Sequence, residues 1–189
     1  MTTPTKQPFP SLKITAQALE PQGAFAEAQA MYLSPDMALV SELDALLHEK
    51  NVGIVAHFYM DPELQGVLAR CTWPHIHVSD SLLMADSAIT MAEAGVTSVI
   101  VLGVDFMSEN VRAMLDAAGH KPIPVYRVTA PAIGCSLAES AETPAYGAYL
   151  SEAAQFERAL HIVYINTSLV TKAKAHALVP TLTCTSSNV

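Results

Sequence analysis

Polar residues follow the predicted strands of this chain, and their types suit acid–base chemistry and anion binding. The apolar run 52–55 predicts a buried strand, and His57 and Tyr59 come shortly after it. Asp61 and Pro62 then indicate the beginning of a helix, because an N-cap residue followed by proline is typical of a helix start. Ligands bind at the carboxyl ends of strands in open α/β sheets. His57 and Tyr59 are therefore predicted to lie where a substrate would bind.

The same arrangement recurs along the chain. Polar residues end other predicted strands and precede predicted helices: Asp80 and Ser81, Asp105, Tyr164 and Asn166, and Thr185 and Ser186. Helix N-termini present free backbone N–H groups and a partial positive charge, so several that converge would bind a polyanion even in an acidic protein. Each of these residues alone could equally be a helix cap. The repetition at one sheet edge is what favours a binding site.

Two residues could take a direct part in chemistry. His57 could act as a general acid or base or bind phosphate, although a histidine at a strand end could also be a hydrogen-bonded structural residue. Cys135 follows Gly134 and precedes a predicted helix, which suits a thiolate ligand or nucleophile, and a buried, inert cysteine fits the sequence as well. Cys71 and Cys184 are predicted to be structural, and the cysteine spacing matches none of the common iron–sulfur motifs.

The composition excludes several classes of protein. The chain has 189 residues, of which 51% are hydrophobic and 15% charged, and this predicts a folded protein with a substantial core. Its net charge is −8, and its 10 lysines and arginines do not cluster, which argues against a nucleic-acid surface. No apolar run reaches the roughly 18 residues that a membrane span needs. Three cysteines without a signal peptide favour a reducing compartment.

Predicted strands alternate with predicted helices, which indicates parallel β-α units and an α/β fold. The predicted strands cover residues 52–55, 75–78, 98–102, 122–128, 160–165 and 181–184. The predicted helices cover residues 23–33, 37–50, 63–70, 82–94, 108–118, 136–141, 144–156 and 167–177.

The predicted domains are an N-terminal arm without its own core (1–22), a first α/β domain (23–119) and a second, truncated α/β domain (120–189). The last predicted strand is followed by helix-capping residues and no helix, so we expect the chain to be a fragment.

Six segments resemble motifs of the quinolinate synthase family, the A protein of NAD biosynthesis. They are AHFYMDPELQGVL, SDSLLMADSAITMA, VLGVDFMSENVRAML, GCSLAE, VYINTSLVTKA and TCTSSNV. The resemblance extends from about residue 23 to the last residue, and the segments occur in the order of the family. Their sequences are most similar to those of the plastid-associated branch of the family.

The resemblance implies the fold, the reaction and the cofactor of that family. Its members condense iminoaspartate with dihydroxyacetone phosphate to quinolinate. Three similar three-layer α/β domains surround a central cavity with pseudo-threefold symmetry, and each provides one cysteine to a [4Fe–4S] cluster whose fourth iron binds substrate as a Lewis acid. By this resemblance the chain contains two of the three domains, and further cluster ligands lie outside it. Alone, it is expected to be inactive.

The resemblance also implies a role for individual residues. Cys135 matches the first cluster ligand. His57 and Tyr59 match a His-x-Tyr motif that contacts substrate and is implicated in acid–base steps. The remaining matches are to substrate-binding positions: Ser81, Tyr164, Asn166, Thr185 and Ser186.

The implied partners are the two substrates, an L-aspartate oxidase or dehydrogenase as the source of iminoaspartate, and iron–sulfur assembly proteins. Neither nucleic acid nor membrane is expected as a partner. The expected compartment is the cytoplasm, with the plastid as the alternative. Two other hypotheses stay open: a non-catalytic truncated homologue or partner-binding module without the cluster, and a cluster-free phosphate-sugar lyase or isomerase with His57 as its base.

Overall fold

The computed structural model describes residues 11–185 and 188. The strands in this part of the chain are Ser11–Ile14 (β1), Leu19–Gln22 (β2), Val52–His57 (β3), Ile76–Ser79 (β4), Ser98–Leu102 (β5), Val125–Arg127 (β6), His161–Tyr164 (β7) and Thr181–Cys184 (β8). The α-helices are Ala24–Ala30 (α1), Met37–Lys50 (α2), Pro62–Arg70 (α3), Leu83–Glu93 (α4), Asp105–Ala117 (α5), Ser136–Ser140 (α6), Pro144–Ala153 (α7) and Leu169–Leu178 (α8), and a 3-10 helix covers Met31–Leu33.

The chain divides into two compact units. The first comprises the described residues of Met1–Glu49 together with Tyr59–Pro74, and the second comprises Lys50–Phe58 together with the described residues of His75–Val189. The first unit therefore contains β1, β2 and α1–α3, and the second contains the other strands and helices. In the described part of the chain, none of the helices is long and apolar enough to cross a membrane.

The first unit begins with an antiparallel hairpin of β1 and β2, in a segment that the sequence predicts only as an arm. The side chains of β1 are exposed, so this hairpin does not enclose a core. Further along, α3 begins as predicted: Asp61 accepts the backbone N–H of Glu63 at 2.9 Å, and Pro62 is the first helical residue. Gly66 of α3 packs on the backbone of Tyr32, where a Cβ atom would lie 2.7 Å from the carbonyl oxygen.

The second unit is built on a four-stranded sheet with the order β4-β3-β5-β6, in which every neighbouring pair is parallel. The α/β fold with parallel β-α units is therefore confirmed. Val55, Val99 and Val101 are almost fully buried beneath α4 and α5, whose Met84 and Leu115 are fully buried in the same core. Burial of each such side chain contributes on the order of 2 kcal/mol. Because the strands are parallel, their carboxyl ends meet at one edge of the sheet.

Strand β6 and helix α5 of the second unit add detail to the prediction. Strand β6 follows the predicted boundary between residues 119 and 120, yet it pairs with β5 of the preceding sheet. The predicted division into an arm and two domains otherwise stays a prediction. Helix α5 begins at Asp105 instead of residue 108, with Val104 as its N-cap residue, and the Ser108 hydroxyl donates to the backbone carbonyl of Asp105 at 2.7 Å within the first turn.

A second, two-stranded parallel sheet pairs β7 with β8, and Tyr164 is in register with Cys184. Helix α8 connects these strands and packs against α5. At the start of α8, the backbone N–H of Leu169 donates to the Glu109 carboxylate at 3.0 Å. The carboxyl end of β7 is thereby held next to α5, the helix that follows β5.

Candidate functional site

The carboxyl ends of β3 and β4 bring together a first group of polar residues. His57 ends β3 and is in register with Ser79 at the end of β4, and the backbone N–H of Phe58 donates to the Ser79 carbonyl at 3.1 Å. The His57 ring stacks on Phe58 with 4.7 Å between centroids and is 7% exposed. Ser81, which follows β4, is 3% exposed. An imidazole and a hydroxyl are thus largely withdrawn from solvent at the edge where ligands bind.

The protonation of His57 depends on two opposing effects. Burial lowers the pKa of His57, and the negative charge of Asp80 raises it by a smaller amount. A histidine with a lowered pKa is neutral near neutral pH, so it is available to accept a proton as a general base.

Asp80 also caps α4. Its carboxylate accepts the backbone N–H groups of Leu82 at 2.8 Å and Leu83 at 3.0 Å. The capping role that the sequence left open for Asp80 is therefore observed, and the same carboxylate acts electrostatically on His57.

A second polar group forms around Cys135 and Asn166. Cys135 immediately precedes α6, is half-buried and packs against the core of the second unit. The side-chain amide of Asn166 donates to the Cys135 sulfur at 3.7 Å, within the range of a hydrogen bond to sulfur. An N–H donor directed at sulfur stabilises negative charge on it. This contact favours a polar role for Cys135 over that of an inert core cysteine.

Two backbone segments that carry this group are attached to neighbouring elements. The loop before Cys135 is fixed to the start of α5, since the backbone N–H of Asp105 donates to the Ile133 carbonyl at 3.0 Å. The turn around Asn166 is fixed by Lys172, whose ammonium donates to backbone carbonyls on both sides of Asn166. The sequence prediction did not include Lys172. Lys172 is in the middle of the helix predicted over residues 167–177, so the sequence gives no signal for it; it lies near the start of the helix only because α8 begins at Leu169.

The other predicted substrate residues of the second unit lie near the ends of β7 and β8. Tyr164 is 40% exposed and, together with Asn166 and Thr167, lines a cleft of about 450 Å³. Thr185 follows β8 and is 2% exposed, and its backbone N–H donates to the Asn188 side chain at 2.6 Å. Ser186 lies outside the described residues.

Tyr59 belongs to the first unit, where its side chain is 81% exposed. The structure therefore brings His57 together with Asp80 and Ser81, and Cys135 together with Asn166. That these two groups face one shared cavity stays a prediction, as do the individual roles of the residues.

One cysteine has the surroundings of a metal ligand. Among residues 11–185 and 188, no group of three or more His, Cys, Asp or Glu side chains could hold a metal ion. Cys135, with an amide donor at its sulfur, suits a single thiolate ligand. Cys71 lies in the first unit, where its thiol donates to the Val67 carbonyl at 3.4 Å, and burial raises its pKa, which disfavours the thiolate.

The fold and the site define an α/β protein with polar residues at the carboxyl ends of parallel strands and, at the start of α6, a thiol that accepts a hydrogen bond from an amide. Residues 41–189 match the family model described as "NadA: Quinolinate synthetase A protein". The chain belongs to the quinolinate synthetase A family.

Similar proteins extend this result to almost the whole chain. The chain is 61% identical over 188 residues to "Quinolinate synthase, chloroplastic" of Nicotiana tabacum, and the match covers 98% of this chain and 26% of that protein. The identity and coverage are the same for the protein of that name from Arabidopsis thaliana. A "Quinolinate synthase" of Thermosynechococcus vestitus is 32% identical over 151 residues, which cover 79% of this chain and 40% of that protein. The chain thus spans about a quarter of the length of the chloroplastic relatives it matches.

Proposed function

We propose that this chain carries part of the active site of a quinolinate synthase, which condenses iminoaspartate with dihydroxyacetone phosphate to quinolinate in NAD biosynthesis. The observation that carries the proposal is the identity of 61% over 98% of the chain to proteins named quinolinate synthase. The second unit supports it, because the His57 imidazole and the Ser81 hydroxyl are withdrawn from solvent at strand ends, and the half-buried Cys135 thiol accepts a hydrogen bond from the Asn166 amide.

In this proposal His57 is the acid–base residue and also contacts substrate, and Tyr59 assists it as the second residue of the His-x-Tyr motif. The neutral form of His57 accepts a proton, and Asp80 stabilises the imidazolium that results. The remaining substrate contacts are hydroxyl and amide groups, which bind the carboxylates and phosphate of the substrates: Ser81, Tyr164, Asn166, Thr185 and Ser186.

Cys135 is proposed as one ligand of a [4Fe–4S] cluster, whose further cysteine ligands come from outside this chain. When bound, such a cluster supplies an iron that acts as a Lewis acid toward substrate oxygen and nitrogen atoms. The role of this chain is to present the Cys135 sulfur and to direct the amide of Asn166 toward it.

The proposed partners follow from the same reaction. An L-aspartate oxidase or dehydrogenase would supply iminoaspartate, and iron–sulfur assembly proteins would load the cluster. The names of the relatives favour the plastid, the alternative compartment, over the cytoplasm.

A chimera tests the proposal. This chain replaces the matching 188 residues of the Nicotiana tabacum relative, and the purified protein is reconstituted with iron and sulfide without oxygen. We expect the chimera to form quinolinate from both substrates, with a visible absorbance typical of an iron–sulfur cluster. His57→Ala should keep this absorbance and lose turnover, whereas Cys135→Ser should lose both.

The relative with its own segment is the positive control, and the chimera with Cys71→Ser is the matched cysteine control. A chimera that binds the cluster but forms no quinolinate would contradict the proposed activity. A Cys135→Ser chimera with undiminished absorbance would contradict the ligand assignment.

A further inference from the structure

Lys172 holds the turn that carries Asn166. Its ammonium group donates to the Ile165 carbonyl at 2.9 Å and to the Thr167 carbonyl at 2.5 Å. These two carbonyls belong to the residues immediately before and after Asn166. An ammonium group that binds both of them restricts the backbone of the residue between, and with it the direction of the Asn166 side chain.

The same ammonium group attaches this turn to α5. It donates to the side-chain carbonyl of Asn110 at 3.4 Å and lies 5.7 Å from the centre of the Phe106 ring. Burial lowers the pKa of Lys172 to about 8, and the nearby charge of Glu109 opposes this shift. Lys172 therefore keeps its charge near neutral pH, and that charge strengthens its bonds to the carbonyls.

The position of Lys172 is unfavourable for α8 itself. A cation in the first turn of a helix opposes the helix dipole, and the removal of an ammonium group from water is costly. Helix α8 already has an N-cap, because the Ser168 hydroxyl accepts the backbone N–H of Thr171 at 3.2 Å. Residues that break a local preference in this way are expected at functional sites.

We propose that Lys172 is a positioning residue that directs the side-chain amide of Asn166 toward the sulfur of Cys135. The inference rests on the proposed function, since it takes Asn166 and Cys135 as parts of the active site. Lys172 acts through the backbone on either side of Asn166, and the Asn166 amide is the group that reaches the sulfur. Asn110 and Phe106 make α5 the fixed support for this arrangement.

The test measures how fast iodoacetamide alkylates Cys135 in the full 189-residue chain at a fixed, near-neutral pH, with each cysteine followed by peptide mass spectrometry. Asn166→Ala removes the amide that donates to the sulfur and stabilises the negative charge on it as it attacks, so we expect Cys135 to react about threefold more slowly. Lys172→Met should cause the same loss. The double variant should be no slower than Asn166→Ala alone, because Lys172 acts only through Asn166.

Two controls accompany these variants. Lys174→Met removes an exposed lysine from the same helix and should leave the Cys135 rate unchanged. Cys184, which lies in β8 of the second unit, should react no faster in any variant, and a faster reaction would reveal unfolding of that unit. If Lys172→Met unfolds, Lys172→Gln, which keeps a donor on a shorter side chain, should still slow Cys135 without a faster reaction at Cys184.

Additive losses in the double variant would overturn the proposal, because Lys172 would then act independently of Asn166. An unchanged Cys135 rate in folded Lys172→Met or Lys172→Gln, or in Asn166→Ala, would also overturn it. The measurement requires neither iron nor turnover. It can therefore fail while the chimera forms quinolinate, and it can succeed while the chimera is inactive.

Discussion

The two effects of Asp80 can be separated by substitution. Its carboxylate caps α4 through the backbone N–H groups of Leu82 and Leu83, and its charge raises the pKa of His57 against the larger effect of burial. Asp80→Ala removes both the cap and the charge. Asp80→Asn keeps a capping oxygen and removes only the charge, because asparagine caps helices about as well as aspartate does.

The structure sets the size of each effect. Loss of an N-cap typically costs about 1 kcal/mol, so Asp80→Ala should lower the free energy of unfolding by about that amount. In a chain of this size, this corresponds to a decrease of roughly 3 °C in Tm. Asp80→Asn should cost no more than a few tenths of a kcal/mol. Both substitutions should lower the pKa of His57, since both remove the charge that raises it.

Urea unfolding followed by circular dichroism measures the stability, and NMR titration of the imidazole protons measures the pKa, with His57→Gln identifying the signal. Asp86→Ala is the matched control, because Asp86 is an exposed residue of the same helix. It should leave the His57 signal nearly unchanged. Equal destabilisation by Asp80→Asn and Asp80→Ala would refute the capping argument, and a raised pKa of His57 in either variant would refute the electrostatic one.

Three further predictions concern stability. Gly66→Ala should destabilise the first unit by about 1–3 kcal/mol, because the new Cβ would meet a backbone carbonyl. Gly147→Ala lies in a helix where a Cβ meets open space, so it should stabilise the protein by about 0.5–1 kcal/mol. Denaturant titration measures both changes in the free energy of unfolding. In the same assay, Met84→Ala should lower the free energy of unfolding by about 2–5 kcal/mol, because Met84 is fully buried. Leu83→Ala should leave it almost unchanged, because Leu83 is exposed. Similar losses of stability in the two variants would contradict the placement of Met84 in the core. Because the pKa of His57 is lowered in the folded state, its contribution to stability is present above the unfolded value near 6.5 and is lost as the pH falls from there through the lower folded pKa. In His57→Gln the free energy of unfolding should fall less steeply over this pH range, and an unchanged slope would contradict the prediction.

The sequence predicts most of the second unit because its signals are local. Buried apolar runs flanked by capping residues locate β3 and β5, and the boundaries of α2 agree with the prediction. The hairpin of β1 and β2 is missed because Pro21 lies within β2, and proline inside a short run argues against a strand. The pairing of β6 with β5 is missed because the prolines that precede β6 resemble a domain boundary, although proline is also tolerated beside an edge strand.

The site is predictable by residue type but not by contact. Strand-end positions identify His57 and Ser81 as candidates, and the position before a predicted helix identifies Cys135, because both kinds of position can be read from the sequence. The amide that supports the Cys135 sulfur belongs to a residue 31 positions away, and the lysine behind it bonds to backbone atoms. Neither contact leaves a pattern in the spacing of side chains, so both emerge only from the folded chain.

The junction of α5 and α8 has a consequence for anyone who recombines this protein with its relatives. Glu109 and Asn110 accept bonds from residues more than fifty positions later, at the beginning of α8. A crossover between α5 and α8 would combine residues 109 and 110 of one parent with the beginning of α8 from another, and the two would not have evolved together. Exchange of the later segment should therefore succeed best when residues 109 and 110 come from the same parent.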